Sequence, residues 1–327
     1  MTAVVPVQGA ILDSVLDATH PILHDGLDRQ AYGRFDAAQM KTAWGRRCRR
    51  RFALVEGVTL LASAELYELA GTFEGRVVRI CGIGSVFTEP SRRGLGHARA
   101  LLGTLLDQAT AQGAEVALLF PQAGLEEDAR NGFETIPLRE VTLEVASSRH
   151  GAPMTMVRGG EERDLAAIVA MGRVRADPFR FHLDRDLDLI QYAITRKRLL
   201  AGLGRASARQ LHFFIAEEGI TAAAYVVVSV AGSAWTLEEC GDRDASGARV
   251  GALLQALIAR EPSERRPTIR AWLPPRFLPP QITIVSATPS TEIMMVRMLG
   301  AGPILPKLSG EPKLSGEEVL YWRSDFF

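Results

Sequence analysis

The chain has 327 residues, 47% of them hydrophobic and 23% charged, with 38 basic and 38 acidic side chains. Such length and apolar content suffice for two buried cores, and a net charge of zero removes any whole-molecule electrostatic case for a nucleic-acid or membrane partner. Three scattered cysteines and six histidines, with no HExxH or CxxC spacing, predict neither a disulfide framework nor a metal site.

The first residues, Met1-Thr2-Ala3-Val4-Val5-Pro6, lack the basic and apolar regions of a signal peptide, and no apolar run reaches transmembrane length, so a cytoplasmic protein is expected. Residues 10–41 read as two helices separated by Gly26. Ile11, Val15 and Leu16 recur at helical spacing in the first, and Tyr32, Phe35 and Met40 share one side of the second. The run Arg46-Arg47-Cys48-Arg49-Arg50-Arg51 is the densest basic stretch. It either neutralises a phosphate or acidic partner or forms a solvated face; without interleaved aromatics it does not argue for nucleic acid. Next come strands at 52–56 and 58–69 joined by Glu56-Gly57, with Glu74-Gly75 as the following turn. Ala62, Ala64 and Leu66 alternate with Ser63, Glu65 and Tyr67, which puts Glu65 and Tyr67 on one face. That face either looks into a substrate pocket, with a carboxylate and a phenol side by side, or carries a cross-strand ion pair at the surface.

Residues 77–86 are apolar and β-branched enough for a buried strand. Beyond Val86-Phe87-Thr88 lies Arg92-Arg93-Gly94-Leu95-Gly96-His97-Ala98, and then Leu101, Leu102, Leu105, Leu106 and Ala109 at helical spacing, stopped by Gly113. Gly94 and Gly96 allow a sharp bend with close approach to a ligand. The free amides and dipole of the first helical turn favour an anion there by roughly 0.3–2 kcal/mol. Arg92, Arg93 and Arg99 add positive charge.

Arg93-Gly94-Leu95-Gly96-His97-Ala98 resembles the Arg/Gln-x-x-Gly-x-Gly/Ala signature of the GNAT superfamily of acyl-CoA-dependent N-acyltransferases. The flanking strand, the long helix, the strand at 116–120 and the Gly132-Phe133 turn fit the same pattern. The resemblance implies that Val86, Phe87, Thr88, Arg92, Arg93, Gly94, Leu95, Gly96, His97 and Ala98 hold acetyl-CoA as co-substrate. It implies direct attack by an amine on the thioester, with a backbone amide near Phe87 or Thr88 stabilising the oxyanion. It also implies that the helix pair covers the acceptor pocket, which makes Tyr32 and Trp44 either substrate contacts or aromatic core. Residues 80–86 contain no carboxylate where the family carries a basic Glu, so the resemblance leaves the base to Glu65 or a water chain, and protonation of the thiolate to water, the departing ammonium or a tyrosine from elsewhere such as Tyr67. The family's general-acid tyrosine is replaced by Asp128, an ionised side chain at neutral pH unless strongly buried. A narrower likeness links Leu61-Ala62-Ser63-Ala64-Glu65-Leu66-Tyr67 and Ile83-Gly84-Ser85-Val86-Phe87-Thr88 to the fungal lysine side-chain acetyltransferases and their bacterial relatives, implying a lysine-like acceptor.

After a Ser/Gly/Pro stretch at 147–153, a second series follows: a strand at 154–158, helices at 164–174 and 187–203, a hairpin at 211–217 and 222–230, and a strand at 234–240. A helix carrying Val250, Leu253, Leu254, Leu257 and Ile258 comes next, with strands near 269–273, 293–298 and 319–322. The order repeats the first half. In place of the basic turn stand Asp242 and Asp244, which would repel a pyrophosphate. This half is therefore expected to bind no CoA and to shape the acceptor site, with Glu238 and Glu239 either as cation contacts or as solvent-facing strand residues. The repeated Lys-Leu-Ser-Gly-Glu at 307–311 and 313–317 reads as a loop.

The fold expected is α/β (α+β), two GNAT-like domains, each a mixed, mostly antiparallel sheet flanked by helices, divided as 1–150 and 151–327 with the second degenerate. The function expected is N-acetyl transfer from acetyl-CoA to a small primary amine. Rivals are a broad aminoglycoside-type acetyltransferase and a non-catalytic acyl-CoA sensor. Acceptor identity, acyl length and oligomeric state are not encoded in any motif.

Overall fold

The computed structural model describes residues 1–121, 131–147, 156–205, 208–262, 266–274, 276–290, 293–300 and 314–325. The chain forms two compact units: Met1–Leu138 with Glu292–Glu318, and Arg139–Thr291 with Val319–Phe326.

In the first unit, strands β1 (Thr2–Pro6), β2 (Arg49–Glu56), β3 (Thr59–Phe73), β4 (Arg76–Thr88), β5 (Val116–Leu119) and β6 (Glu134–Ile136) accompany helices α1 (Ala10–Leu23), α2 (Arg29–Lys41), α3 (Ala43–Cys48) and α4 (His97–Ala111). The sheet runs β1-β2-β3-β4-β5, then a returning strand, Met294–Met298, and then β6. All pairings along it are antiparallel except β4 with β5. The β3–β4 turn is the two-residue Glu74-Gly75, with both residues at positive φ (48° and 77°), which matches the right-handed twist of a hairpin. Helix α4 buries Leu101, Leu102, Leu105, Leu106 and Ala109 against Ala62, Ala64 and Leu66 of β3, Cys81 and Ile83 of β4, and Met295 of the returning strand. The period-two pattern of β3 is fixed by this contact, and Glu65 and Tyr67 are sent to the opposite face.

In the second unit, strands β7 (Arg139–Val145), β8 (Met156–Gly159), β10 (Gln210–Glu218), β11 (Thr221–Ala231), β12 (Ala234–Asp242), β13 (Ile269–Ala271) and β14 (Ile282–Pro289) form one sheet. Its order is β14-β7-β13-β12-β11-β10-β8. A short β9 (Phe181–Leu183) pairs in parallel with Val319–Leu320. Helices α5 (Leu165–Ala176), α6 (Leu187–Leu203) and α7 (Ala248–Ile258) complete the unit. Among the described residues no helix is long and apolar enough to cross a membrane.

Read from the other end, β8-β10-β11-β12-β13-β7-β14 repeats the first sheet, with β12 and β13 parallel as β4 and β5 are. The strand lying between the fifth and last positions is exchanged in each sheet. Residues 294–298 fill it in the first unit and residues 139–145 in the second. The division expected at 150/151 is therefore displaced to Leu138/Arg139, and the strand assigned by sequence order to the second series belongs to the first sheet. The expected strand at 319–322 is limited to Val319–Leu320. Most of the 147–153 stretch and of the Lys-Leu-Ser-Gly-Glu repeat lies outside the described residues.

Candidate active site

Strand β4 pairs with β3 along its whole length but with β5 only from Ile80 to Ile83. Just beyond that point the β3–β4 register slips: Glu65 faces Gly84 and Ser63 faces Phe87, so Ser85 and Val86 together oppose Ala64. A bulge of this kind bends its strand. Ser85 takes φ 49° to make it. The ladder with β5 having ended, residues 84–88 border a cleft of about 320 Å³.

Around the cleft stand Ser85, Val86, Phe87 and Thr88 of β4, Arg93, Gly94 and Gly96 of the turn, His97 and Ala98 of α4, Leu119 at the end of β5 with Phe120 and Pro121 after it, Asn131, and Ile22 and Leu23 of α1. Eight of the ten residues expected to hold CoA thus line one cavity, while Arg92 and Leu95 belong to the turn without lining it. Glu89 accepts hydrogen bonds from the amide (2.7 Å) and hydroxyl (2.5 Å) of Ser91 and steadies the start of the turn. Gly94 and Gly96 both have φ 79°, and a Cβ on either would meet nothing within 4 Å. The glycines are needed for backbone conformation, and the space in front of them is open. Gly96 caps α4 without a side-chain hydrogen bond, so among the described residues no side chain caps that helix, and its positive end faces the cleft. His97 Nε2 is buried with no hydrogen-bond partner among the described residues. None of the described lining residues is Asp or Glu.

Glu65 and Tyr67 lie elsewhere. Glu65, 2% exposed, receives Arg49 through Nε (3.0 Å) and Nη2 (2.7 Å), Arg51 through Nη2, and the Tyr67 hydroxyl. Asp36 of α2 joins through Arg49 (2.6 Å) and Arg51 (3.1 Å). The local cause is register: Arg49 stands opposite Tyr67 and Arg51 opposite Glu65 across β2–β3. Burial alone would raise the Glu65 carboxyl, but the two guanidinium groups and the hydrogen bonds from Arg49 and Tyr67 hold it well below the usual carboxylate range. The ion network is buried instead of superficial, and two arginines of the basic run serve as its interior cations. Trp44 stacks on Tyr67 (6.1 Å between centroids, 20°), and Tyr32 shares a 3.2 Å hydrogen bond with Thr19; both aromatics are buried. Among the described residues the cleft lining includes none of Tyr32, Trp44, Glu65 and Tyr67. Glu127 and Asp128 lie outside the described residues.

In the second unit Glu238 and Glu239 are not solvent-facing. Glu238 accepts from Lys197 Nζ (2.8 Å), and Glu239, fully buried, accepts from Arg185 (2.7 Å) and from the Ser324 hydroxyl. The chain's own cations already occupy them. Arg185 also reaches Asp325 (2.8 Å), yet burial pushes the Asp325 carboxyl up to about 6. A carboxyl whose folded value exceeds its unfolded value of about 3.9 holds its proton more tightly when folded. Its contribution is therefore favourable below that unfolded value and is lost as pH rises through about 6. Asp325→Asn should flatten this part of the stability profile, read as urea midpoints from about pH 4 to about pH 7; an unchanged slope would assign it to other groups.

At the N-terminus of α7 the expected repulsion takes a structural form. Asp242 accepts from the amide of Arg249 (2.9 Å) and from its Nη1 (3.0 Å), so a carboxylate of the chain itself sits at the positive helix end. Gly247, at φ 69° like its counterpart Gly96, is covered by Phe277: a Cβ would come within 2.6 Å of that ring. No sequence pattern announced that a ring 30 residues away would close this corner.

Residues 26–134 match the sequence model of the acetyltransferase (GNAT) domain family. No curated protein matches the chain in sequence. Among solved structures, the chain is similar to a GCN5-related N-acetyltransferase from Kribbella flavida (TM-score 0.65, 18% identity, covering 91% of this chain and 71% of that one). It is also similar to a probable N-acyltransferase from Enterococcus faecalis V583 (0.64, 15%, 91% and 72%). A third likeness is to Saccharomyces cerevisiae N-myristoyltransferase with bound myristoyl-CoA (0.54, 10%, 92% and 84%). At these identities the likeness is one of fold, and it extends over about nine-tenths of this chain.

Proposed function

We propose, from the premise that residues 26–134 are a GNAT acetyltransferase domain, that the protein transfers an acetyl group from acetyl-CoA to a small, lysine-like primary amine. The observation that carries this reading is one cleft joining two left-handed glycines, the uncapped N-terminus of α4 and the strand edge left free where β4 parts from β5. The amides and Arg93 receive the pyrophosphate, and the pantetheine arm runs along residues 84–88. The amine attacks the thioester carbon, with a β4 amide near Phe87 or Thr88 taking up the developing charge. Preorganised donors of this kind are worth about 3–4 kcal/mol each.

Glu65 enters this reading as a positioning group. A carboxylate saturated by two arginines and held below its usual range is a poor base, but its place opposite Gly84 fixes the strand on which the cleft depends. Tyr67, buried and donating to Glu65, supports the same strand. The second unit, its helix end filled by Asp242, binds no CoA in this reading.

Thiol release from acetyl-CoA over a panel of lysine, polyamines and aminoglycosides tests the proposal, together with calorimetric binding of acetyl-CoA. Turnover with lysine or a simple diamine supports it, and turnover with aminoglycosides alone would replace the acceptor class. Tight binding with no thiol release from any amine would favour a sensor.

A further inference from the structure

Four described residues other than glycine have positive φ: Asp25, Glu74, Ser85 and Arg276. Glu74 makes a hairpin turn and Asp25 follows the end of α1; of the four, only Ser85 lies inside a strand. Left-handed backbone is disfavoured for a residue with a Cβ, and such outliers gather where function requires them. Glycine would adopt the same conformation freely and stands at the preceding position, Gly84, yet the bulge carries a serine. Ser85 lines the cleft, where the β4–β5 ladder has just ended at Ile83. Its hydroxyl makes no hydrogen bond to another described residue.

We propose that Ser85 is a catalytic residue whose hydroxyl contacts the reacting thioester; the proposal rests on the acyl-transfer reading. With the pyrophosphate at Gly96, the pantetheine arm brings the thioester toward the place where the strands part, and of the two hydroxyl residues of β4 that line the cleft, Ser85 and Thr88, Ser85 stands nearer the end of the β4–β5 ladder. When the amine nitrogen bonds to the carbonyl carbon and the C–S bond breaks, one proton must leave nitrogen and one must reach sulfur. A hydroxyl both donates and accepts. Ser85 gives its proton to the departing thiolate, takes the proton from the former amine, and ends unchanged. None of the described residues around the cleft is a carboxylate that could do this instead.

Two variants separate the hydroxyl from the backbone conformation. Ser85→Gly removes the hydroxyl and relieves the positive φ, whereas Ser85→Ala removes the hydroxyl and keeps the strain. Both should lower kcat at least thirtyfold with acetyl-CoA affinity within threefold of wild type, and Ser85→Gly should melt at or above the wild-type temperature. A kcat within threefold of wild type in Ser85→Gly, with affinity intact, would overturn the proposal and make the bulge a matter of shape. So would a loss confined to acetyl-CoA affinity. Wild-type protein that binds no acetyl-CoA would overturn the acyl-transfer reading itself, and this proposal with it.

Discussion

Glu65→Gln should lower the stability of the protein by about 3–5 kcal/mol, the range observed when one partner of a buried ion network is removed. Arg49 and Arg51, both on β2 and both turned inward, would lose the carboxylate they share while Asp36 remains, and the Tyr67 hydroxyl would exchange an ionised acceptor for a neutral amide. Urea unfolding measures the loss, and a double-mutant cycle with Arg51→Gln should return a coupling of at least about 1 kcal/mol. The pH dependence runs in the direction opposite to that of Asp325. A carboxyl held below its unfolded value stabilises the fold above that value, and the contribution disappears as the solution is acidified below about pH 4. Assayed well below its unfolding midpoint, Glu65→Gln should keep the wild-type shape of the kcat/KM pH profile. A hundredfold loss of kcat/KM with an unchanged urea midpoint would restore Glu65 as the base.

Acetyl-CoA binding should fall at least tenfold, or about 1.4 kcal/mol, in Gly96→Glu. Two effects act together. A Cβ at φ 79° strains the turn even though space is open around it, and a carboxylate at the end of α4 opposes the pyrophosphate. Gly96→Ala isolates the first effect and should lose distinctly less. In the second unit the chain itself places a carboxylate, Asp242, at the matching helix end. Calorimetry with both variants decides the matter, and wild-type affinity in Gly96→Glu would remove the turn from the binding site.

What could be read from the sequence follows the range of the interactions involved. The Glu74-Gly75 hairpin, the stripe of α4 and helix α6 are dictated by neighbours a few residues apart, and the positions expected for them are those found. The cleft lining was legible for the same reason, because twelve of its described residues come from one continuous stretch, 83–102. The role of the arginine run was not. A string of like charges looks solvated until the register sets Arg51 against Glu65, 14 residues on. Nor does any local signal tell a strand at 294–298 that its partners are at 116–119 and 134–136. The strain at Ser85 was equally hidden, since it arises from a register slip between two strands and not from the residue itself.

The exchanged strand also dictates a timetable. On the ribosome, β5 and β6 emerge about 160–180 residues before Met294–Met298, and until that strand arrives each has an unsatisfied edge, a template for the wrong partner. The first unit therefore cannot complete its sheet first and wait for its companion; the last steps of the two sheets fall late in synthesis and close together. A fragment ending at residue 150 would be a sheet with its β5 edge open, with β6 detached because it joins the sheet only through Met294–Met298, and with residues 139–145 hanging as an unclaimed strand. Work on the first unit alone would need residues 292–300 rejoined to it by a linker after residue 138.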